Sequence, residues 1–165
     1  MERKAISYQP IGTIHSPHQQ VSGMPIQPSA AKGVQGCVVV TPQYQEGLQD
    51  LDGFSHLILL YHFHRVEEVR LKVTPFLDQQ QRGVFSTRAP TRPNPIGISI
   101  VRLLRLEGNQ LEVADIDVLD GTPLLDIKPY VPYFDRPENV QAGWIEASKD
   151  DVQNKQSDDR FSSPS

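Results

Sequence analysis

Three short stretches of this chain gather side chains able to hold a charged small molecule. The segment Arg88-Ala-Pro-Thr-Arg-Pro-Asn-Pro-Ile-Gly97 carries two arginines, Arg88 and Arg92, one amide, Asn94, and three prolines. Proline fixes φ, so the forked guanidinium donors sit on a stiff backbone and lose little entropy on meeting a phosphate or carboxylate. The spacing equally allows a proline-rich turn whose arginines face solvent or a neighbouring acid. The run His56 to His64 alternates, with Leu57, Leu59, Tyr61 and Phe63 on one face and His56, His62 and His64 on the other, as a half-buried strand does. His62 and His64 point the same way, but no third ligand follows at a recognised spacing and no Cys pair assists, so a metal is not expected. His64, next to Arg65, is then either a structural histidine or a residue facing a small-molecule site. Asp120-Gly121-Thr122-Pro123 offers a carboxylate, a hydroxyl and a closely approachable backbone, although Asp-Gly is also a common tight turn.

Charge is segregated around these stretches. Gln79 to Leu106 holds five arginines and no acid, whereas Glu107 to Asp126 holds six acids and no base. Such a distribution can build a local anion site inside a protein of net charge −4, and solvated strand faces give the same pattern. The net charge argues against coating nucleic acid by bulk electrostatics. A single cysteine, Cys37, beside Val38, Val39 and Val40, allows no internal disulfide or thiolate metal site and reads as a buried, inert thiol. There is no dinucleotide fingerprint, no phosphate loop of the Lys-Ser/Thr type and no His-Glu plus Cys pair of a zinc deaminase.

The elements that must position these residues are mostly strands. Fourteen prolines and eleven glycines interrupt short β-branched runs and leave no room for long helices. Strands are predicted at Tyr8 to His15, Val34 to Thr41, His56 to His64, Val69 to Val73, Val84 to Thr87, Ile96 to Leu106, Gln110 to Leu119 and Leu124 to Ile127. A short helix is predicted within Gln43 to Phe54, and a two-residue hairpin turn at Gly108-Asn109. Together they predict a mostly β protein, a single β-barrel domain with short helices and long proline-rich loops. Ser16 to Lys32, with Pro17, Pro25 and Pro28, is too proline-rich for a regular element and too long for a simple turn, so it reads as an ordered loop with a function. The 165 residues suit one domain, over 1–147, and a polar tail over 148–165 that is expected to be disordered. No apolar leader or membrane span is evident, which predicts a cytoplasmic protein.

Read together, IGTIHSP, MPIQP, LDGFSHLILLYHFHR, RGVFSTRAPTRPNPIGIS and LDGTPLLDIKPYVPYFD resemble the family of β-barrel tRNA N6-threonylcarbamoyladenosine methyltransferases, in the same order, over about Pro10 to Asp135. The resemblance implies a homodimer that binds S-adenosylmethionine and methylates N6 of the threonylcarbamoylated adenosine beside the anticodon of tRNA. It places cofactor contacts at Ile26, Gln27 and Pro28, at His64 and Arg65, at Arg88 and Ile98, and at Asp120, Gly121, Thr122 and Pro123. Arg92 and Asn94 match the family's loop and are carried over as contacts to tRNA or to the threonyl carboxylate. Bacterial members often have Arg where this chain has Ile26.

Methyl transfer is an in-line displacement that depends on aligning donor and acceptor. The acceptor nitrogen also loses a proton, for which Asp120 and His64 are the candidates by motif. Two other readings remain: a non-catalytic S-adenosylmethionine-binding regulatory module, and a methyltransferase acting on a small metabolite or another RNA.

Overall fold

The computed structural model describes residues 4–23, 28–76 and 78–148. Six antiparallel strands close into a barrel: β1 (Gly12–His15), β2 (Gln35–Val40), β3 (His56–His62), β6 (Ile96–Glu107), β7 (Gln110–Ala114) and β8 (Thr122–Pro129), in the order β1-β2-β7-β6-β3-β8 with β8 returning to β1. Two further strands, β4 (Lys72–Val73) and β5 (Arg82–Gly83), form a separate ribbon inside the β3–β6 connection. Among the described residues the one α-helical turn, α1 (Pro132–Asp135), follows β8.

The alternation in the sequence becomes the inside and outside of the barrel. Leu57, Leu59 and Tyr61 of β3 point inward and pack with Ile14, Val38, Val40, Val101, Leu111, Val113 and Leu124. Each fully buried aliphatic side chain contributes about 1.5–3 kcal/mol relative to exposure, so this layer is the main source of stability. The β6–β7 hairpin turns through Gly108 at φ 60, with Glu107 opposite Gln110. Positive φ at the first central residue suits glycine there.

Several elements differ from expectation for local reasons. Val84 to Thr87 is a 3-10 turn (Val84–Ser86) rather than a strand, and the predicted Val69 to Val73 strand is reduced to Lys72–Val73. The strand predicted over Gln110 to Leu119 stops at Ala114, because Asp115 takes φ 67 and turns the chain back across the barrel end. The helix predicted within Gln43 to Phe54 forms as two 3-10 turns, Pro42–Leu48 and Leu51–Gly53, parted by Asp50 at φ 65. Cys37 is half-buried rather than buried. The predicted tail lies outside the described residues apart from Ser148.

Because every barrel neighbour is antiparallel, the connections alternate between the two ends. Connections 16–34, 63–95 and 115–121 all lie at one end, here called the mouth. Connection 41–55 and the Gly108-Asn109 turn lie at the other, the hairpin end.

Candidate functional site at the barrel mouth

Among the described residues, the His64, Arg88 and Asp120 segments belong to the mouth. The 16–34 connection contains Ile26, Gln27 and Pro28; the 63–95 connection contains His64, Arg65, Arg88, Arg92 and Asn94; and the 115–121 connection contains Asp120 and Gly121. Thr122 and Pro123 open β8, and Ile98 is the third residue of β6. Ile26 and Gln27 lie outside the described residues. Pro28 begins a 3-10 turn, Pro28–Ala31, that lies beside β6.

The Asp120 turn is bolted to the start of the proline-rich loop. The Ser16 backbone N–H donates to Asp120 Oδ1 at 3.1 Å, Gln19 Nε2 donates to Oδ2 at 3.3 Å, and His15 Nδ1 lies 3.3 Å from Oδ1. In return, the Asp120 N–H donates to the His18 carbonyl at 2.8 Å and the Gly121 N–H to that of Ile14 at 2.9 Å. The Ser16 amide above all, with Gln19 and His15, holds the Asp120 carboxyl below its ordinary value. Thr122 is buried and spends its hydroxyl on the Leu119 carbonyl at 2.7 Å. Gly121 has φ 78, and a Cβ built on it would meet nothing within 4 Å, so its backbone is open to close approach by a ligand.

Across the mouth, β3 ends where the Phe63 N–H donates to the Pro95 carbonyl at 2.8 Å. His64 follows, half-buried. Burial, with Arg65 and His62 beside it, lowers its pKa against the opposing hydrogen bond to the His62 backbone and so favours the neutral imidazole. Arg92 turns back into its own loop, donating through Nη1 to the carbonyls of Thr87 at 3.0 Å and Ala89 at 3.2 Å, with its guanidinium 5.9 Å from the centre of the exposed Phe85 ring. Asn94 is exposed. Ile98 faces outward between Ile96 and Ile100, all three about two-fifths exposed.

The segregated charge resolves into two kinds of arginine. Arg102 and Arg105 lie on the outer strand face and meet Asp115 and Glu107, so these two follow the solvated-face pattern. Arg82 pairs with Asp78 at 2.6 Å and lies 5.5 Å from the centre of the Trp144 ring, whose Nε1 donates to the Ser86 carbonyl at 2.9 Å. Arg88, exposed in its loop, is the one of the five whose charge bears on Tyr61 and Asp117.

Sequence reasoning missed an inner polar cluster. Ser99 Oγ donates to Asp117 Oδ1 at 2.5 Å, and Tyr61 Oη lies 2.9 Å from Ser99 Oγ. Burial pushes the Asp117 carboxyl up to about 7 against the opposing pull of the Ser99 hydroxyl and the Arg88 charge. Burial and the Asp117 charge likewise raise the Tyr61 phenol. The signal was present, since Ser99 is a polar residue on the inward-facing register of β6, between Gly97 and Val101. Asp117 was hidden by being read into a strand. Among the described residues, no group of three or more His, Cys, Asp or Glu is placed to hold a metal, and no helix is long and apolar enough to cross a membrane.

At the mouth an arginine, a neutral imidazole and an open glycine backbone suit a ligand that is part nucleoside and part charged amino acid, with the apolar Ile98 and Pro123 on the outer face of the adjoining strands. Comparison with known proteins agrees in kind. The model of the tRNA-methyltransferase O N-terminal domain matches residues 13–136. A probable S-adenosyl-L-methionine-binding protein of Pyrococcus abyssi is 54% identical over 156 residues, covering 94% of this chain and 85% of that protein. The tRNA (adenine(37)-N6)-methyltransferase of Homo sapiens is 36% identical over 139 residues, covering 80% of this chain but 32% of its own length. The crystal structure of TrmO from Pseudomonas aeruginosa superposes with a TM-score of 0.72 at 40% identity, over 86% of this chain and 63% of that one.

Proposed function

The chain belongs to the tRNA-methyltransferase O N-terminal-domain family, and from that premise we propose that it transfers a methyl group from S-adenosylmethionine to N6 of the threonylcarbamoylated adenosine beside the anticodon of tRNA. The observation that carries this reading is that the end of the His64 strand, the Arg88 loop and the Asp120 turn lie at one barrel mouth, which six strand pairings impose. Bound S-adenosylmethionine supplies an electrophilic methyl group. The protein's part is to bind, orient and handle the proton.

In this reading, Arg88 meets a carboxylate, Ile98 and Pro123 pack on the nucleoside, and the backbone at Gly121 lies against it. Ile26, Gln27 and Pro28 are cofactor contacts carried over from the family's motif, and His64, Arg65, Asp120 and Thr122 complete the wall. Arg92 stiffens the loop that presents Asn94 to the RNA. Of the two motif candidates for the base, Asp120 is occupied by three hydrogen-bond donors and works better as the clamp between loop and turn, and His64, held toward its neutral form by burial, serves the wall of the site. The protein acts in the cytoplasm as a homodimer. The outer face of β6 supports dimerisation, since Ile96, Ile98 and Ile100 form an exposed apolar row beside Leu60 and Ile58 of β3. The catalytic barrel is residues 1–147.

Transfer of labelled methyl to tRNA, compared with tRNA lacking the threonylcarbamoyl group, tests the proposal. Label should enter only the modified tRNA, at N6 of the anticodon-adjacent adenosine. Cofactor binding without methyl loss would instead identify a regulatory module, and transfer to a small metabolite or another RNA would replace the substrate. Grip on tRNA should weaken steeply with salt, because arginine contacts to phosphate release counterions.

A further inference from the structure

Asp117 has no part in the reading above, yet three elements converge on it. Ser99 has a single hydroxyl hydrogen and donates it to Asp117 Oδ1, so Tyr61 must be the donor in the Tyr61–Ser99 contact. A buried phenol on β3 and a buried hydroxyl on β6 thus form a directed chain ending on one carboxylate oxygen. The backbone is pinned on both sides of that carboxylate as well: the His18 ring meets the Ile116 carbonyl at 3.1 Å, and Ser16 Oγ donates to the Val118 carbonyl at 2.5 Å. Gly97 is required for the arrangement, since a Cβ there would collide with the Tyr61 ring.

We infer that Asp117 accepts the proton released by the acceptor nitrogen during methyl transfer, with Ser99 and Tyr61 as positioning residues that hold its carboxylate. The inference rests on the methyltransferase reading. As the new N–C bond forms from the nitrogen lone pair, the C–S bond breaks and its electron pair stays on sulfur. The N–H bond then yields its proton to Asp117, and its electron pair restores a neutral nitrogen.

The groups facing Asp117 set its strength as a base. Tyr61 comes from β3 and Arg88 from the 63–95 connection, while His18 of the 16–34 connection meets the neighbouring backbone. Arg88 and the Ser99 hydroxyl favour the carboxylate, burial opposes it, and the balance near 7 suits a base working at neutral pH. Asp120, only three residues on, is drawn the other way by the Ser16 amide and is a weaker base.

The test uses the full chain with S-adenosylmethionine and modified tRNA. Asp117→Asn should lower kcat by about 100-fold or more while leaving cofactor affinity within about twofold. The wild-type rate should rise with pH through a midpoint near 7, and this limb should be missing from the residual activity of D117N. Ser99→Ala keeps the carboxylate but removes a hydrogen bond that favours its ionised form, so its limb should move to higher pH. This variant decides the matter even if D117N folds poorly. A readout independent of turnover is the carboxyl titration of Asp117 in cofactor-free protein, followed by carbon NMR, which should fall near neutrality. Active wild type with D117N within threefold of its kcat, or an unchanged limb in D117N or S99A, overturns the inference alone. Wild type that transfers no methyl to modified tRNA overturns the reading beneath it, and the inference with it.

Discussion

At the hairpin end, β6 and β7 are joined by two residues, and Leu48, Tyr44 and Leu51 fold over the opening as an apolar plug. Asn109 Nδ2 caps it by donating to the Val40 carbonyl at 2.6 Å. At the mouth, the same strands are linked by connections 16–34, 63–95 and 115–121, and the plug includes Asp117, Ser99 and Tyr61. An apolar plug stabilises without further conditions. A polar one must satisfy each hydrogen bond and carries an ionisable group at a cost, which a protein retains where a ligand or a proton must be handled. The comparison therefore predicts that substitutions at the hairpin end change stability alone, while those at the mouth change stability and activity separately.

The sharpest break should come from paired core substitutions. Gly97→Val drives a side chain into Tyr61 and Phe63 and should cost about 3 kcal/mol, with loss of cofactor binding because the collision displaces Phe63 and with it the neighbouring His64. Leu48→Ala at the other end should cost about 2–3 kcal/mol and leave cofactor affinity unchanged. Chemical denaturation alongside calorimetric titration of S-adenosylmethionine measures both. Equal losses of binding in the two variants would erase the distinction between the ends.

Next in size is the effect of Asp117→Asn on stability. The folded carboxyl titrates near 7, far above the ordinary value of 3.8. Between those values the folded protein holds a proton that the unfolded chain has released, so this group makes stability fall as pH rises, with the full penalty above 7. Asparagine removes the penalty and still accepts from Ser99. D117N should match wild type below pH 4 and exceed it by on the order of 1–3 kcal/mol at pH 8. Melting curves across pH check this, and a variant that is both more stable and inactive would mark the mouth as a functional compromise.

Asp120→Ala should cost about 1 kcal/mol at neutral pH, because it frees the Ser16 amide and detaches the proline-rich loop. The sign with pH is opposite to that of Asp117. A carboxyl held below its ordinary value stabilises above the unfolded pKa, and the benefit is lost as pH falls through the folded one. The gap between wild type and D120A should therefore close in acid, and weaker cofactor binding should accompany it at neutrality.

The barrel was legible because its strands alternate cleanly: Leu57, Leu59 and Tyr61 inside, Ile96, Ile98 and Ile100 outside. Most of the motif segments were legible too, since proline, arginine and Asp-Gly keep their local chemistry in any fold. What the sequence hid depends on tertiary closure. Whether Arg102 and Arg88 share a role cannot be read from a run of arginines. Arg102 finds Asp115 across the strands, whereas Arg88, exposed in its loop, acts on the carboxyl of Asp117. Asp117 looked like a strand residue because Ile116 and Val118 flank it with strand periodicity. Only the left-handed Asp115 turns that alternation into a lid, with both valine and isoleucine buried and the carboxylate reaching Ser99.

The smallest effect concerns Thr91, which sits in the arginine loop with its backbone carbonyl accepting from the Arg70 N–H at 3.0 Å. The residue is 2% exposed, and its hydroxyl is the one buried side-chain polar atom without a hydrogen-bond partner among the described residues. An unpaired buried hydroxyl keeps its desolvation penalty, and valine has the same shape without it. Thr91→Val should thus stabilise the protein by about 1 kcal/mol, raising Tm by about 2–4 °C. The equivalent hydroxyl-to-methyl change at Thr122, whose Oγ1 bonds to the Leu119 carbonyl at 2.7 Å, should go the other way by a similar amount. Both lie in mouth segments, so opposite signs would show that hydrogen-bond satisfaction, and not mere position at that end, governs what each polar group costs. A destabilised T91V would mean the hydroxyl has a partner in solution, with an ordered water as the first candidate to seek by crystallography.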